Sequence, residues 1–258
     1  RVGSEEREDP ENARLIPILT TVTLKDTVTP SDYRYRLKPL NPWDEETIFP
    51  IPKGEETDSY QELWDEFIGE LEQWKKDSSD TWNNQDTETF FTSLTALLYK
   101  YTWCVPSATP WQKGKSQQDR RAYPDVSLYD HARVTSAIAA CLAYDDRVSF
   151  PQPNEAVLLL VRGDVSGIQD FIYRISRPEA TTEHIAKRLR GRSFYLQLQT
   201  ELIVDWILRE LGLPFTCSVF VGGGRFDLIL PLSAEEALEE LKDKLETWLL
   251  EALLGEIG

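Results

Sequence analysis

The sequence predicts an α+β protein: a mostly helical N-terminal domain over residues 1–150, followed by a domain of ferredoxin-like order over residues 151–258. Three observations lead to this prediction. Apolar residues recur at helical spacing in three segments between Ser59 and Leu142. Pro151 and Pro153 then mark a linker. Beyond it, the predicted elements follow in the order βαββα, so only the last strand of the ferredoxin-like order is missing.

Short extended segments are expected before the first helix. Leu15–Leu24, Tyr33–Leu37 and Thr47–Ile51 are β-like, and the prolines between them limit each to a brief excursion. Ser59 and Glu62 have the spacing of a capping box, which predicts that a helix begins there. The apolar face of this helix is made of Leu63, Phe67, Leu71 and Trp74.

Two more helices complete the N-terminal domain. Asp86 is expected to cap a helix that runs to Tyr101. Trp103 and Cys104 come next and are interpreted as a core or loop anchor. After an irregular loop over Pro106–Pro124, a third helix is predicted. Its expected apolar face consists of Leu128, Thr135, Ile138, Ala139 and Leu142.

The second domain begins with a buried strand at Val157–Val161. Ser166 is a candidate cap for the helix that follows. A hairpin is predicted from Thr216–Val221 and Phe226–Leu230, and Ser233 has the spacing of a capping box with Glu236. The expected apolar faces of the three helices are Ile168, Phe171, Ile172 and Ile175, then Leu198, Leu202, Trp206 and Leu211, then Leu238, Leu241, Leu245, Trp248 and Leu249.

Composition limits the classes of function. The formal net charge is −16, whereas a protein that coats nucleic acid by bulk charge would be basic. Only residues 101–200 have a basic excess, with 13 basic and 10 acidic residues, so nucleic-acid contact must be local. The three cysteines are scattered, which predicts a reduced, cytoplasmic protein, and no apolar run suits a membrane partner. The absence of methionine, even at position 1, predicts a piece of a longer polypeptide.

Asp164 and a glycine-rich hairpin are the main candidate site. Asp164 ends the first strand of the second domain, and Gly222–Gly224 connects the two strands that follow. This is the layout of a polymerase-type palm, in which these two places carry metal-binding carboxylates. An active nucleotide cyclase reads Gly-Gly-Asp-Asp or Gly-Gly-Asp-Glu at the hairpin, whereas this chain reads Gly-Gly-Gly-Arg. Two-metal chemistry needs several oxygen ligands, so we expect nucleotide binding without catalytic residues in this chain.

The same motifs have structural interpretations. Gly163–Gln169 offers backbone N–H groups at a strand end, which suits phosphate, but it could equally be a tight turn with Asp164 and Ser166 as caps. Gly222–Gly224 could be an ordinary hairpin. Asp130, beside His131, is a candidate metal ligand, although a structural role is favoured for this isolated pair. The basic cluster is a candidate for nucleic-acid or phosphate contact or else a solvated helix face; it comprises Lys187, Arg188, Arg190 and Arg192.

Three motifs resemble a known family. Gly163-Asp164-Val165-Ser166-Gly167-Ile168-Gln169-Asp170-Phe171-Ile172, Leu189-Arg190-Gly191-Arg192-Ser193-Phe194-Tyr195-Leu196 and Gly222-Gly223-Gly224-Arg225-Phe226 look like the first palm domain of the large signature subunit of type III CRISPR effector complexes. Upstream, residues 101–107 and 126–131 resemble the end of that family's HD domain in its Csm, or type III-A, branch. The resemblance therefore implies an HD-domain remnant followed by a degenerate, GGDEF-like palm.

In this family an HD domain cuts single-stranded DNA, and two palms make cyclic oligoadenylate from ATP after target RNA binds. The resemblance implies that Gly163, Asp164, Ser166 and Gly167 line the pocket for one ATP, with Gly222–Gly224 opposite. Mg²⁺ or Mn²⁺ would be held mainly by a second palm, with Asp164 as a possible further ligand. Implied partners are the other effector subunits, CRISPR RNA, target RNA and single-stranded DNA. The alternatives are a standalone degenerate cyclase-like regulatory module and a purely structural interaction domain.

Overall fold

The computed structural model describes residues 13–21, 32–77, 87–108, 111–112, 121–122, 124–145, 151–152, 154–173 and 182–253. The chain divides into two compact units, Arg1–Ala132 and Arg133–Gly258. Both are built mostly from helices, with small antiparallel sheets, which confirms the predicted α+β class. The predicted division into domains at residues 150 and 151 stays a prediction.

Among the described residues, the first unit contains three complete α-helices and two short two-stranded antiparallel sheets. Its helices are α1 (Glu45–Ile48), α2 (Tyr60–Asp77) and α3 (Thr87–Thr102). In these sheets β1 (Tyr33–Arg34) pairs with β2 (Ile51–Pro52), and β3 (Trp111–Gln112) pairs with β4 (Arg121–Ala122). The helix α4 (Leu128–Tyr144) begins in this unit and ends in the second.

The predicted β-like runs near the N-terminus were largely wrong. In the described part of Leu15–Leu24 the chain forms a 3₁₀ turn over Ile18–Thr21 and no strand. Thr47 ends up in α1, because the Asp44 side chain accepts a hydrogen bond from the Glu46 N–H and starts a helix there. Of Tyr33–Leu37, only the first two residues form a strand.

The predicted capping box at the start of α2 is confirmed. The Ser59 N–H donates to Glu62 Oε2 at 3.0 Å, and the Glu62 N–H donates to Ser59 Oγ at 3.2 Å. Trp103 is an anchor as expected, since its Nε1–H donates to the Lys38 carbonyl at 3.0 Å. The predicted cap Asp86 lies outside the described residues. The buried core of this unit comprises Leu37, Leu63, Leu97, Tyr101 and Cys104.

The second unit is a three-stranded antiparallel sheet with helices. After the end of α4 come β5 (Leu158–Asp164), α5 (Ile168–Tyr173), α6 (Thr182–Glu210), β6 (Ser218–Gly222), β7 (Arg225–Pro231) and α7 (Glu235–Leu253). The strand order is β5-β7-β6, so the hairpin strand β7 lies in the middle and β5 forms one edge. Both predicted hairpin strands are confirmed within about a residue or two at each end.

One face of this sheet forms the core. Phe226, Leu228 and Leu230 alternate along β7 and are all buried. They pack with Leu196, Ile203 and Ile207 of α6 and Leu241 of α7. Residues directly opposite one another in adjacent strands share a face. Arg225 and Asp227 therefore lie on the other face, together with their partners Asp164 and Arg162.

The predicted apolar faces of α4 and α6 were wrong in part, although Leu211 is buried and Trp206 packs against the core as expected. In α4 the fully buried residues are Ala137 and Cys141, whereas Ala139 is exposed. Small residues bury there because the helix lies close to the strands, with Cys141 Sγ donating to the Ile229 carbonyl at 3.5 Å. In α6, Leu198 and Leu202 are 40% and 57% exposed. Leu202 instead lines an apolar groove of about 480 Å³ together with Trp206, Leu245 and Trp248.

Two residues predicted as helix caps, Ser233 and Ser166, do not cap the helices as expected. Ser233 does not form a capping box with Glu236, because a 3₁₀ turn over Leu232–Ala234 precedes α7 and the Ser233 hydroxyl donates to Asp145. Ser166 does not act as the N-cap of α5, since the Gly167 carbonyl accepts from the Phe171 N–H at 3.0 Å.

None of the helices among the described residues is both long and apolar enough to cross a membrane.

Candidate functional site

The candidate site lies at the end of the sheet where β5 finishes and the β6–β7 hairpin turns. Asp164 pairs with Arg225 across β5 and β7, and Arg225 pairs with Gly222 across β7 and β6. The Val165 N–H donates to the Gly224 carbonyl at 2.8 Å. The two motifs singled out from the sequence are therefore joined by backbone hydrogen bonds at one edge of the sheet.

Gly223 and Gly224 form the two-residue turn of the hairpin. Their φ angles are +63° and +86°, both positive as in a type I′ turn, so glycine suits the two positions. A Cβ at Gly224 would lie 2.2 Å from Ile168 Cδ1 on α5, whereas a Cβ at Gly223 would meet nothing within 4 Å. The hairpin is thus closed on the side of Gly224 and open at Gly223.

Gln197 supports the hairpin and was missed by the sequence analysis. Its Oε1 accepts a hydrogen bond from the Gly223 N–H at 3.1 Å. The residue lies in the middle of α6, so this contact fixes the hairpin to the helix beneath it. A single glutamine among several polar residues of a long helix gives no spacing signal that could have identified it.

Gly163 faces the core. It pairs with Phe226, and a Cβ built on it would lie 2.0 Å from Cζ of the buried Phe226 ring. The close approach of this ring to the β5 backbone explains glycine at the position. Its predicted place in a nucleotide pocket stays a prediction, and the structure supplies a packing reason of its own.

Asp164 and Ser166 point into a more open environment. Both residues are exposed, and neither side chain forms a hydrogen bond or ion pair with any residue that the structure describes. Gly167, between Ser166 and α5, is exposed as well. The turn therefore presents a carboxylate, a hydroxyl and backbone to the same solvent-accessible edge.

The residues at this edge do not fit a metal ion held by this chain alone. Within the described ranges, no group of three or more His, Cys, Asp or Glu side chains is placed to hold a metal. Asp164 stands alone, opposite an arginine. Asp130, the other candidate ligand, belongs to a capping box at the start of α4: Ser127 Oγ donates to its Oδ2 at 2.8 Å and accepts from its N–H at 3.0 Å.

An ion pair lies next to the site, two residues away along β5 and β7 and on the same face of the sheet. Arg162 Nε donates to Asp227 Oδ1 at 2.6 Å, and Arg162 Nη2 donates to Oδ2 at 3.3 Å. This hydrogen bond from Arg162 lowers the pKa of the Asp227 carboxyl below its usual value. The same contact raises the pKa of Arg162. Asp227 is therefore an ionised carboxylate that forms an ion pair with Arg162.

The residues of the basic cluster on α6 differ in exposure and in their contacts. Lys187, Arg188 and Arg190 are exposed. Arg192 is half-buried, and its Nη1 donates to the Phe171 carbonyl at 2.8 Å and the Ile172 carbonyl at 3.3 Å. Its guanidinium also lies 5.6 Å from the centre of the Phe171 ring. Arg192 thus binds the C-terminal end of α5, where a cation is favoured.

Comparison with known proteins places these features in a family. Residues 157–258 match the family model for Csm1 subunit domain B. A protein of Methanocaldococcus jannaschii described as a CRISPR system single-strand-specific deoxyribonuclease Cas10/Csm1 of subtype III-A is 35% identical, over 97% of this chain and 32% of its own length. A Thermococcus onnurineus protein with the same description is 44% identical over 48% of this chain and 16% of its own length.

Solved structures agree. A Csm1–Csm4 cassette in complex with one ATP matches with a TM-score of 0.64 at 30% identity, over 88% of this chain and 28% of that one. The apo form of a Csm1–Csm4 cassette matches with a TM-score of 0.67 at 28% identity, over 98% of this chain and 30% of that one. Together with these matches, the fold and the site identify the class of protein: a subunit of CRISPR effector complexes. The chain belongs to the Cas10/Csm1 family of subtype III-A, and it spans about a third of the length of its M. jannaschii relative.

Proposed function

We propose that this chain is part of the large subunit of a type III-A CRISPR RNA-guided antiviral effector, and that residues 151–258 form a first palm domain that binds ATP. The observation that carries the proposal is the hydrogen bond from the Val165 N–H to the Gly224 carbonyl, which holds the Asp164–Gly167 turn against the glycine hairpin. The strand order β5-β7-β6 is the one that a ferredoxin-like palm without its last strand would have.

The proposed binding mode uses the backbone and Ser166. The exposed turn before α5 and the open side of the hairpin at Gly223 let a ligand approach main-chain atoms closely. The Ser166 hydroxyl, which has no hydrogen-bond partner among the described residues, can donate to or accept from the nucleotide. Csm1–Csm4 cassettes of 30% identity have been solved with one ATP and with AMPPNP, which supports a nucleotide ligand for this chain as well.

In the complete polypeptide, the proposal assigns two activities to the subunit: synthesis of cyclic oligoadenylate from ATP and cleavage of single-stranded DNA by an HD domain. The catalytic residues of both, and most ligands for Mg²⁺ or Mn²⁺, would lie outside this chain, since the described residues hold no metal-binding group of three. The proposed partners are the other effector subunits, a Csm4-type protein among them, with CRISPR RNA and target RNA, in the cytoplasm. A relative that matches this chain is described as a single-strand-specific deoxyribonuclease, and a Csm1–Csm4 subcomplex of the type III-A interference complex is similar in fold.

Titration with ATP tests the nucleotide-binding part. In the complete polypeptide, S166A should weaken ATP binding several-fold, since a neutral hydrogen bond contributes about 0.5–1.5 kcal/mol. T247A is the matched control, because Thr247 is exposed on α7 and, within the described residues, its hydroxyl donates to the Asp243 carbonyl of its own helix. Equal ATP affinities of S166A and the wild type would remove this side chain from the site. Absence of ATP binding to the wild type would overturn the proposed function.

A further inference from the structure

Arg225 is a charged residue at the candidate site that has no assigned role. It follows the Gly222–Gly224 hairpin and begins β7, where its side chain lies on the open face of the sheet with that of Asp164. In an active palm the corresponding stretch of the hairpin carries carboxylates, so this chain has a positive charge close to where such a hairpin would present negative ones.

The carboxylates near Arg225 do not pair with it. Asp227, two residues along the same face, is held by Arg162 at 2.6 Å. Asp164 lies directly opposite on β5, yet it forms no ion pair within 4.0 Å with Arg225 or any other residue in the described part of the chain. Arg225 acts on Asp227 only at longer range, where its charge adds to the lowering of the Asp227 pKa by Arg162. In the described part of the chain its guanidinium therefore has no carboxylate in direct contact.

Burial shows which part of Arg225 is available. Its Nε atom is buried and lacks a hydrogen-bond partner among the described residues, whereas neither terminal nitrogen is buried in that way. The side chain as a whole is half-buried, with Nε on its covered side. A guanidinium held in this manner loses little freedom when it binds, and its planar fork matches the oxygens of a phosphate group.

We propose that Arg225 binds the phosphate chain of a nucleoside triphosphate and supplies the positive charge that metal ions provide in a palm with a complete carboxylate set. This half of the site then holds a triphosphate without a divalent ion. The proposal rests on the proposed ATP-binding function. It also agrees with the misfit of this edge to a metal, since a cation beside Asp164 competes with an ion for the same carboxylate.

The experiment is a titration of the complete polypeptide with ATP and, separately, with adenosine, each in the presence of EDTA. We expect R225Q to weaken ATP binding about tenfold or more, because hydrogen bonds to charged groups are stronger than neutral ones. Adenosine affinity should not change, since adenosine has no phosphate. R225K should recover part of the loss, and inorganic triphosphate should compete with ATP in the wild type but poorly in R225Q.

R209Q is the matched control. It removes one positive charge from the same unit, near the end of α6, where Arg209 pairs with Asp205. Its distance along α6 from Gln197, which contacts the hairpin, is about 18 Å, so its ATP affinity should equal that of the wild type. An equal loss in R209Q would mean that overall charge, and not Arg225, controls binding.

The outcomes separate the two proposals. Wild-type ATP affinity in R225Q, or loss of ATP binding by the wild type in EDTA, overturns the role of Arg225 while ATP binding in Mg²⁺ keeps the proposed function intact. A wild type that binds neither ATP nor adenosine with or without Mg²⁺ overturns both. If R225Q does not fold, R225K decides alone: the single ammonium should still bind ATP more weakly than the wild type in EDTA, and equal affinity would contradict the proposal.

Discussion

At the scale of single residues, Gly163 shows how one position can carry a packing role within a candidate binding motif. Replacement by alanine places a Cβ 2.0 Å from the Phe226 ring, so the ring or the β5 backbone must move. We expect G163A to lower the free energy of unfolding by about 1–3 kcal/mol, the usual cost of overpacking. Urea denaturation of the chain measures this change.

G191A is the control for G163A. Gly191 lies inside α6, and a Cβ there would meet nothing within 4 Å. Alanine should therefore raise the free energy of unfolding by about 0.5–1 kcal/mol, because glycine is unfavourable in a helix interior. A G163A variant as stable as the wild type that nevertheless loses ATP affinity would show that Gly163 faces the ligand and not the core.

At the same scale, replacing Asp130 distinguishes a structural role of this residue from a metal-binding role. Because its side chain and N–H both bond to Ser127 Oγ, D130A should destabilise the start of α4 by about 1 kcal/mol. The loss should be the same with EDTA as with Mn²⁺ in thermal unfolding. S127A should cost a similar amount. A destabilisation that appears only when Mn²⁺ is present would instead identify Asp130 as a metal ligand.

At the scale of elements, the β6–β7 turn should accept one particular side chain. Asparagine is favoured at the first central position of a type I′ turn and adopts positive φ more readily than alanine. Since a Cβ at Gly223 meets nothing within 4 Å, G223N should unfold at nearly the wild-type urea concentration, whereas G223A should lose about 1 kcal/mol. Asparagine at Gly224 should be poorly tolerated, because Ile168 lies in the way; equal stability of the two asparagine variants would contradict this account of the turn.

The β5–β7 ion pair makes a pH-dependent contribution. The folded-state pKa of Asp227 is lowered by Arg162, so the pair stabilises the fold above the ordinary pKa of an aspartate and loses that effect as the pH falls through the lowered value. R162Q should therefore be less stable than the wild type near neutral pH, by an amount that shrinks as the pH falls from the ordinary pKa of an aspartate through the lowered pKa of Asp227. Urea midpoints across that range give the difference. Because the pair is solvent-accessible, added salt should reduce the difference as well; a difference that grows on acidification would exclude this pair as its source.

The elements also show what the sequence could and could not predict. Helices at α2, α4, α6 and α7 and the strands of the hairpin followed from periodicity and glycines. The buried faces of α4 and α6 followed only in part, because Ala137, Cys141 and Thr200 bury through close packing and local hydrogen bonds that hydrophobicity does not reveal. For the site, chain order predicted that Asp164 and the hairpin would meet. The hydrogen bond between Gln197 and Gly223, and the position of Arg225 directly opposite Asp164, are seen only in the structure.

At the scale of the whole chain, each of the two compact units has its own core, and the two cores differ in size. The first unit has a small apolar core, beside which α2 and α3 also make polar contacts: Glu70 Oε2 accepts from Tyr101 Oη at 2.6 Å and from Lys100 Nζ at 2.5 Å. The second depends on a larger apolar core beneath its sheet. The residues of the candidate nucleotide site all belong to the second unit.

The chain by itself should make no cyclic oligoadenylate from ATP with Mg²⁺ or Mn²⁺. Nucleotidyl transfer by two metals needs several carboxylates close together, and the described residues offer Asp164 alone at this edge, opposite Arg225. Chromatography of a reaction with radiolabelled ATP should show only substrate, whereas the complete polypeptide with its RNA partners serves as the positive control. Changing the hairpin to R225D adds one carboxylate and should not create activity, because one further ligand does not complete a two-metal site. Product formed by the unaltered chain, and abolished by D164A, would show that its own residues suffice for catalysis.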